Sequence, residues 1–172
     1  MKYKLYIVLL IIVGIFTITA CQNKEESLNN KKYKCEYTKK EDGLQTISKR
    51  IIEVNEDEKP VYYTYTYGYS NYGKKTNEYK SFCNSLKNAI NGKEYVDNKD
   101  IVTAKVVCNK KNHYQAYLTL KYDVEKLLKS KKLPEIKKYI EYYTNKNKTF
   151  KKDEWKNTFY EDENIGKFEC NY

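Results

Sequence analysis

The 172 residues include only six glycines and one histidine, and these two shortages exclude much at the outset. Glycines this few do not assemble the phosphate-cradling loop of a nucleotide-binding protein. The lone histidine, His113, has no evident third group to orient it for nucleophilic catalysis. G-x-S-x-G and S-x-x-K are both missing, and with them the common serine nucleophile sites. No two cysteines have the C-x-x-C spacing of a metal or redox site. The acidic clusters Asp97-Asn98-Lys99-Asp100 and Glu161-Asp162-Glu163 lack both the spacing and the glycine of a calcium loop, and read as solvated turns. Neither a metal nor a cofactor is therefore expected. Carboxylate pairs brought together from distant positions stay open, because spacing does not reveal them.

Aromatic residues, by contrast, make up 15% of the chain, and twenty of them are tyrosine. Disordered chains are poor in aromatics, so the bulk of the sequence folds. Mean hydropathy is −0.90, as expected of a domain with a water-facing surface. The net charge is +10.

The first twenty residues have a different character. Met1-Lys2-Tyr3-Lys4 is basic, Leu5 to Ile18 is uncharged and mostly apolar, and Ile18-Thr19-Ala20-Cys21 closes the segment with small residues before a cysteine. That order is an export signal. The closing tetrapeptide resembles the bacterial lipobox, which implies diacylglyceryl transfer to the Cys21 sulfur, cleavage before it and acylation of the new amino end. Two or three acyl chains anchor stably where one does not. The rival is an uncleaved anchor, but Leu5 to Ala20 falls short of the roughly 18–20 residues that a spanning helix needs. Residues 1–20 thus read as a lipoprotein signal peptide and Cys21 as the lipidated residue. The product is expected on the extracytoplasmic face of the cell membrane, held there through its lipid anchor. Lys2 and Lys4 leave with the leader, which has no acidic residue, so the mature charge is +10 − 2 = +8.

Gln22 to Lys32 is polar without an apolar period, and residues 21–31 are assigned to a tether. Eleven extended residues reach about 35–40 Å. Residues 32–172 form a single domain.

Within it, Tyr33, Cys35 and Tyr37 alternate along a first strand, Lys32 to Thr38. Glu41-Asp42-Gly43 makes a turn into a second, Gln45 to Val54. A charged turn, Asn55 to Pro60, leads to the strongest strand pattern, Val61 to Ser70. Asn77 to Asn91 switches to helical spacing through Tyr79, Phe82, Cys83, Leu86, Ala89 and Ile90, with Gly92 placed as its C-cap. Ile101 to Cys108 and His113 to Tyr122 are strands joined by a four-residue hairpin loop. Leu133 to Tyr143 is a helix with Pro134 early. Thr149 to Tyr160 is a shorter helix offering Phe150, Trp155 and Phe159 to the core, and Gly166 to Cys170 is extended. The order βββ-α-ββ-α-α-β, with hairpin-length links, predicts an α+β fold: a mostly antiparallel sheet of five or six strands with helices packed on one face.

Four cysteines follow Cys21, an even number in an exported chain, so disulfides are expected. Three connectivities are possible. Cys35–Cys170 with Cys83–Cys108 is preferred: the first clasps the early strand to the last segment, and the second joins the helix face to the strand after it. Free buried thiols and a metal site are the alternatives.

The lipobox, the segment Tyr33-Lys34-Cys35-Glu36-Tyr37, the meander to Tyr69, one helix, a hairpin and the ending Gly166-Lys167-Phe168-Glu169-Cys170 together resemble the YehR-like small bacterial lipoproteins, a family of unknown function. The resemblance implies a cysteine pair between the first strand and the C-terminus, which supports Cys35–Cys170. It supplies no catalytic residues, and Cys83 and Cys108 depart from it.

Tyr62, Tyr63, Tyr65, Tyr67, Tyr69 and Tyr72 crowd one segment. Tyr63, Tyr65 and Tyr67 fit the packed face of the strand; Tyr62 and Tyr72 lie off it and are the expected exposed contacts. The reading with most support is a non-enzymatic surface module that binds an anionic envelope polymer or a protein partner, the +8 charge suiting an anionic surface. Solvated lysines encoded by an AT-rich genome are the plain alternative account of that charge. Export argues against nucleic acid as partner. The rival function is an envelope hydrolase using dispersed carboxylates or a Cys108/His113 pair.

Overall fold

The structure, a computed structural model, describes residues 30–73, 76–110, 114–160 and 168–171. The leader, Cys21, nearly all of the tether, His113, Glu161-Asp162-Glu163 and Gly166-Lys167 lie outside the described residues, as does the Phe159 side chain.

Strands β1 (Lys31–Glu41), β2 (Leu44–Val54) and β3 (Pro60–Ser70) form a meander. Asp42 and Gly43 connect the first two with φ of 49° and 81°. Both positive angles belong to a type I′ turn, whose twist matches the strands it joins. Helix α1 (Thr76–Ile90) and one helical turn, α2 (Lys93–Val96), lead to the hairpin β4 (Val102–Asn109) and β5 (Gln115–Asp123). Helices α3 (Val124–Lys129), α4 (Pro134–Tyr142) and α5 (Lys152–Tyr160) follow, and β6 (Glu169–Asn171) closes the fold. Hydrogen-bonded neighbours run β4-β5-β3-β2-β1-β6, every pair antiparallel. The expected α+β class and one-sheet architecture are what the chain adopts.

The register shows why one face is dry. Cys170, Cys35, Arg50, Tyr65, Leu120 and Ala104 lie side by side across all six strands. Residues of this parity, among them Tyr33, Tyr37, Ile52, Tyr63, Tyr122 and Val102, are buried under Leu127, Ile140 and Trp155 of α3, α4 and α5. Burying each aliphatic side chain there contributes about 1.5–3 kcal/mol. The Trp155 indole is fully buried, packs edge-on to Phe150 at 5.6 Å, and donates its Nε1–H to the Tyr139 hydroxyl at 3.1 Å. A second, smaller core gathers Tyr79, Cys83 and Leu86 of α1 with Tyr72 and Ala116.

The opposite parity carries Lys34, Ile51, Thr64, Lys121 and Thr103 in one row and Glu36, Lys49, Thr66, Thr119 and Lys105 in the next. Gly68 sits on this side where β3 and β5 approach closely. A Cβ there would run into the Ala116 carbonyl and the Tyr117 Cβ, so only glycine fits.

Both disulfides join the preferred partners. Cys35 and Cys170 bridge β1 to β6 with Cα atoms 4.1 Å apart, and Cys83 and Cys108 tie α1 to β4 at 6.0 Å. Two local expectations need correcting, and two short helices were not expected. Gly92 is not a left-handed C-cap; with φ −67° it is extended and starts α2. Ala89 is exposed. The helices α2 and α3 carry too few residues, four and six, to show a period. In α3, Asp123 supplies the start signal, its carboxylate accepting the Lys126 N–H at 3.1 Å.

Candidate functional site at the proximal end of the sheet

Lys31, the first residue of β1, pairs with Val54, the last of β2. The chain therefore comes in from residues 1–29 at the end of the sheet that holds the β2–β3 loop. This proximal end is built from two copies of one turn. In the first, the Asn55 N–H donates to the Lys59 carbonyl at 3.0 Å and the Glu58 N–H to the Asn55 carbonyl at 3.0 Å. The Asn55 side-chain oxygen accepts from the Asp57 and Lys59 N–H groups at 3.1 and 2.9 Å. In the second, Asn145 N–H donates to the Thr149 carbonyl at 3.0 Å and Lys148 N–H to the Asn145 carbonyl at 2.9 Å. The Asn145 side-chain oxygen accepts from the Asn147 and Thr149 N–H groups at 2.9 and 3.0 Å. Each turn has its fourth residue in the left-handed region, Glu58 at φ 57° and Lys148 at φ 63°. Paired residues flank both, Val54 with Pro60 and Thr144 with Phe150. Asparagine suits the first position because its side chain reaches its own backbone two residues on. The Phe150 N–H donates to the Glu58 carbonyl at 2.8 Å and fastens the two turns together.

Two cavities are lined by both turns. The larger, about 630 Å³, is bordered by Asp57, Glu58, Asp153 and Glu154, with Lys151 and Lys152. The smaller, about 300 Å³, is walled by Pro60, Val61, Val124 and Leu128. Lys59, Lys129 and Lys148 stand around it with Glu125.

Charge is unevenly spread. Residues 124–160 hold eleven lysines and five carboxylates, a net 11 − 5 = +6 of the +8 expected of the mature chain. This stretch leaves the sheet at the proximal end, after Asp123, and returns there through its Asn145 turn. Carboxylates at this end are mostly engaged. Glu58 accepts from Lys31 and, at 3.0 Å, from the Tyr33 hydroxyl; the Lys31 bond holds the Glu58 carboxyl below its ordinary range. Burial, with Glu58 as acceptor, pushes the Tyr33 hydroxyl up. Asp57 pairs with Lys59 at 3.2 Å, Glu154 with Lys151 at 3.0 Å, and Asp123 with Lys126 at 3.1 Å. Lys131, Lys146, Lys148 and Lys152 make no ion pair among the described residues. All four are exposed.

The residues singled out from sequence do not meet at one place. Tyr62 is half-buried beside the proximal end, with the Lys121 ammonium 3.8 Å above its ring. Tyr72 is not an exposed contact. It is 5% exposed, packed against Tyr79 at 5.5 Å and Phe82 at 6.4 Å, and burial pushes its hydroxyl up to about 12. The cause is Asn71, whose φ of 62° turns the chain after β3 and folds Tyr72 under α1. Cys108 lies opposite Ala116, not His113, and its sulfur is bonded to Cys83, so it offers no thiolate in this state. Asp97 to Asp100 is a turn; within it the Asn98 side chain is buried and donates to the Glu94 carbonyl at 2.6 Å. Among the described residues, no three His, Cys, Asp or Glu side chains gather closely enough to hold a metal ion, and no helix is long and apolar enough to cross a membrane.

Sequence reasoning missed the second Asn turn and the concentration of lysine after residue 124. The signals were present: an Asn four residues before the turn's end in both segments, and a charge count by segment instead of by chain. No family model, no curated protein and no solved structure matches the chain.

Proposed function

We propose that this chain is an exported lipoprotein, anchored through Cys21 on the outer side of the cell membrane, whose domain is a non-enzymatic module that binds an anionic envelope surface through its basic proximal end. The observation that carries the reading is the +6 excess in residues 124–160, a stretch that leaves the sheet and returns to it at the end where the chain comes in from its anchor. A tether of eleven residues keeps that end within about 35–40 Å of the membrane. Each lysine that nears an anionic surface gains about 1 kcal/mol, and salt removes the gain. The resemblance of the sequence to YehR-like lipoproteins accords with the exported, lipid-anchored part of this reading.

The test is sedimentation of the unlipidated protein with purified envelopes across a salt series. Binding that weakens with salt, and weakens again in a Lys131→Gln, Lys146→Gln, Lys148→Gln variant, is the expected result. Binding indifferent to both counts against it.

The larger cavity supports a second reading, hydrolysis of an envelope glycan by its carboxylates. An acid catalyst there needs a carboxyl shifted upward, whereas Glu58 is shifted down. Turnover of wall or glycan substrate that is lost in Glu58→Gln would favour the hydrolase.

A further inference from the structure

The smaller proximal cavity combines two properties that rarely share a surface. Its walls are apolar, and its rim is cationic. The apolar part arises from the fold itself. A register shift at Glu53/Val54 sets Val54 opposite Pro60 and leaves Val61 without a cross-strand partner on β2. Val61 thus stays half-buried where its parity alone would seal it beside Tyr63. On α3, Leu127 takes the fully buried position and Leu128 is left half-buried on the flank. Leu128 packs against the edge of the main core without being sealed by it, and Val61 and Leu128, both half-buried, share this cavity.

The rim is fixed. Lys59 is the last residue of the first Asn turn and Lys148 the left-handed residue of the second, so side-chain and backbone hydrogen bonds of Asn55 and Asn145 set where both begin. Lys129 extends from the last turn of α3 and bonds to Glu125. Two of the three ammoniums pair with carboxylates, Asp57 and Glu125, while Lys148 makes no ion pair among the described residues.

We infer that this cavity is a binding site for one acyl chain of an anionic lipid, with its phosphate or carboxylate held among Lys59, Lys129 and Lys148. The class follows from charge complementarity at the rim and from the apolar walls. A volume of about 300 Å³ is at the small end of ligand pockets, suiting part of one chain and not a whole two-chain lipid. The position follows too, since the cavity opens at the end of the sheet nearest the anchor. The inference rests on the proposed lipid-anchored reading and names the site within it.

Photo-crosslinking tests it on the full chain. The protein is reconstituted in phosphatidylcholine vesicles that contain phosphatidylglycerol with a photoreactive acyl chain. A parallel arm adds a free photoreactive fatty acid, and a control places the same group on phosphatidylcholine. The expected result is labelling of the peptides holding Val61 and Leu128 by an anionic probe well above the neutral control. The arm that labels more strongly names the source, bilayer lipid or free acid. Lys148→Gln, an exposed change that leaves the core alone, lowers labelling about fivefold. Val61→Trp fills the space and abolishes it, with circular dichroism to verify the fold. Equal labelling by the neutral probe, or labelling confined to other peptides, overturns the site. If salt-sensitive envelope binding persists without cavity labelling, this assignment alone fails; if both are absent, the reading beneath it fails as well.

Discussion

Replacing Cys35 and Cys170 with alanine removes the bond that closes the longer loop of the domain, and the structure sets what that costs. The two residues are 135 apart in sequence, against 25 for Cys83 and Cys108. In the chain-entropy model the longer loop is worth about 5 kcal/mol and the shorter about 3.5 kcal/mol at 25 °C. A domain of this size has a total stability of about 5–15 kcal/mol, so the first loss takes a third or more of it. The native side adds to the difference. Strand β6 has only three residues, and Phe168 just before it is buried with its ring 5.5 Å from Tyr37. Three residues of ladder do not hold a strand at a sheet edge without help, so β6 and Phe168 should come away together. A Cα separation of 4.1 Å marks Cys35–Cys170 as a non-hydrogen-bonded pair, which places the ladder bonds at Lys34–Asn171 and Glu36–Glu169. The assay is urea denaturation of the two double-alanine variants, with hydrogen exchange at the Lys34 and Glu36 amides. Cys35→Ala/Cys170→Ala should have the lower midpoint and lose protection at those amides, while Cys83→Ala/Cys108→Ala keeps it. The reverse order of midpoints, with β1 still protected, would refute the argument.

The remaining predictions concern other parts of the molecule. Gly68→Ala should cost about 3 kcal/mol, the upper part of the range for overpacking, because the atoms it meets include backbone of β5; a thermal midpoint unchanged from wild type would contradict the close strand approach. Burial favours the neutral form of Tyr72 and raises its pKa from about 10 to about 12. Its contribution is complete below pH 10 and lost as pH rises through 12. Burial also raises Tyr63, Tyr79, Tyr122 and Tyr139, so tyrosinate absorbance should rise in two waves, exposed rings first, the later one coinciding with loss of the circular dichroism signal. A single wave near pH 10 with the fold intact would be inconsistent. Cys21→Ala should abolish incorporation of labelled fatty acid and leave an unprocessed precursor; equal label in mutant and wild type would remove the lipoprotein reading.

What could be read from the residues was whatever repeats at a fixed interval. The meander was legible because Tyr33 to Tyr37 and Tyr63 to Tyr69 alternate, β2 between them is rich in Ile, Thr and Val, and turn residues separate the three, and α1 and α4 because their apolar positions recur over whole turns. The reading failed where geometry departs from the interval. Strand parity carried past Ser70 put Tyr72 on the outside, but one left-handed residue, Asn71, ends the strand and reverses that assignment. The alternation of Val61 with Tyr63 is likewise broken by a register shift on β2, which no pattern in β3 announces. Arg50 occupies a core-facing position that a charge would not be expected to take; its guanidinium lies 4.0 Å over the Tyr65 ring, an arrangement only the neighbouring strand reveals. The candidate site was the least legible part, since it depends on two turns ninety residues apart having the same shape and meeting.

The clasp between Cys35 and Cys170 also changes how the domain transmits force. Covalently, residues 35–170 form a closed ring that the chain enters at Cys35 and leaves at Cys170, side by side. Tension applied between the chain ends passes straight across the disulfide, so the residues between the two cysteines bear none of it and only the segments outside them, Lys31 to Lys34 of β1 included, are pulled. An exopeptidase working inward from the amino end can strip Lys31 to Lys34 from β1 but then meets the bridge, with the rest of the sheet still closed behind it. A protein held at one end in a crowded, protease-exposed layer would thus carry its fold as an insulated unit, loaded only by what grips its surface.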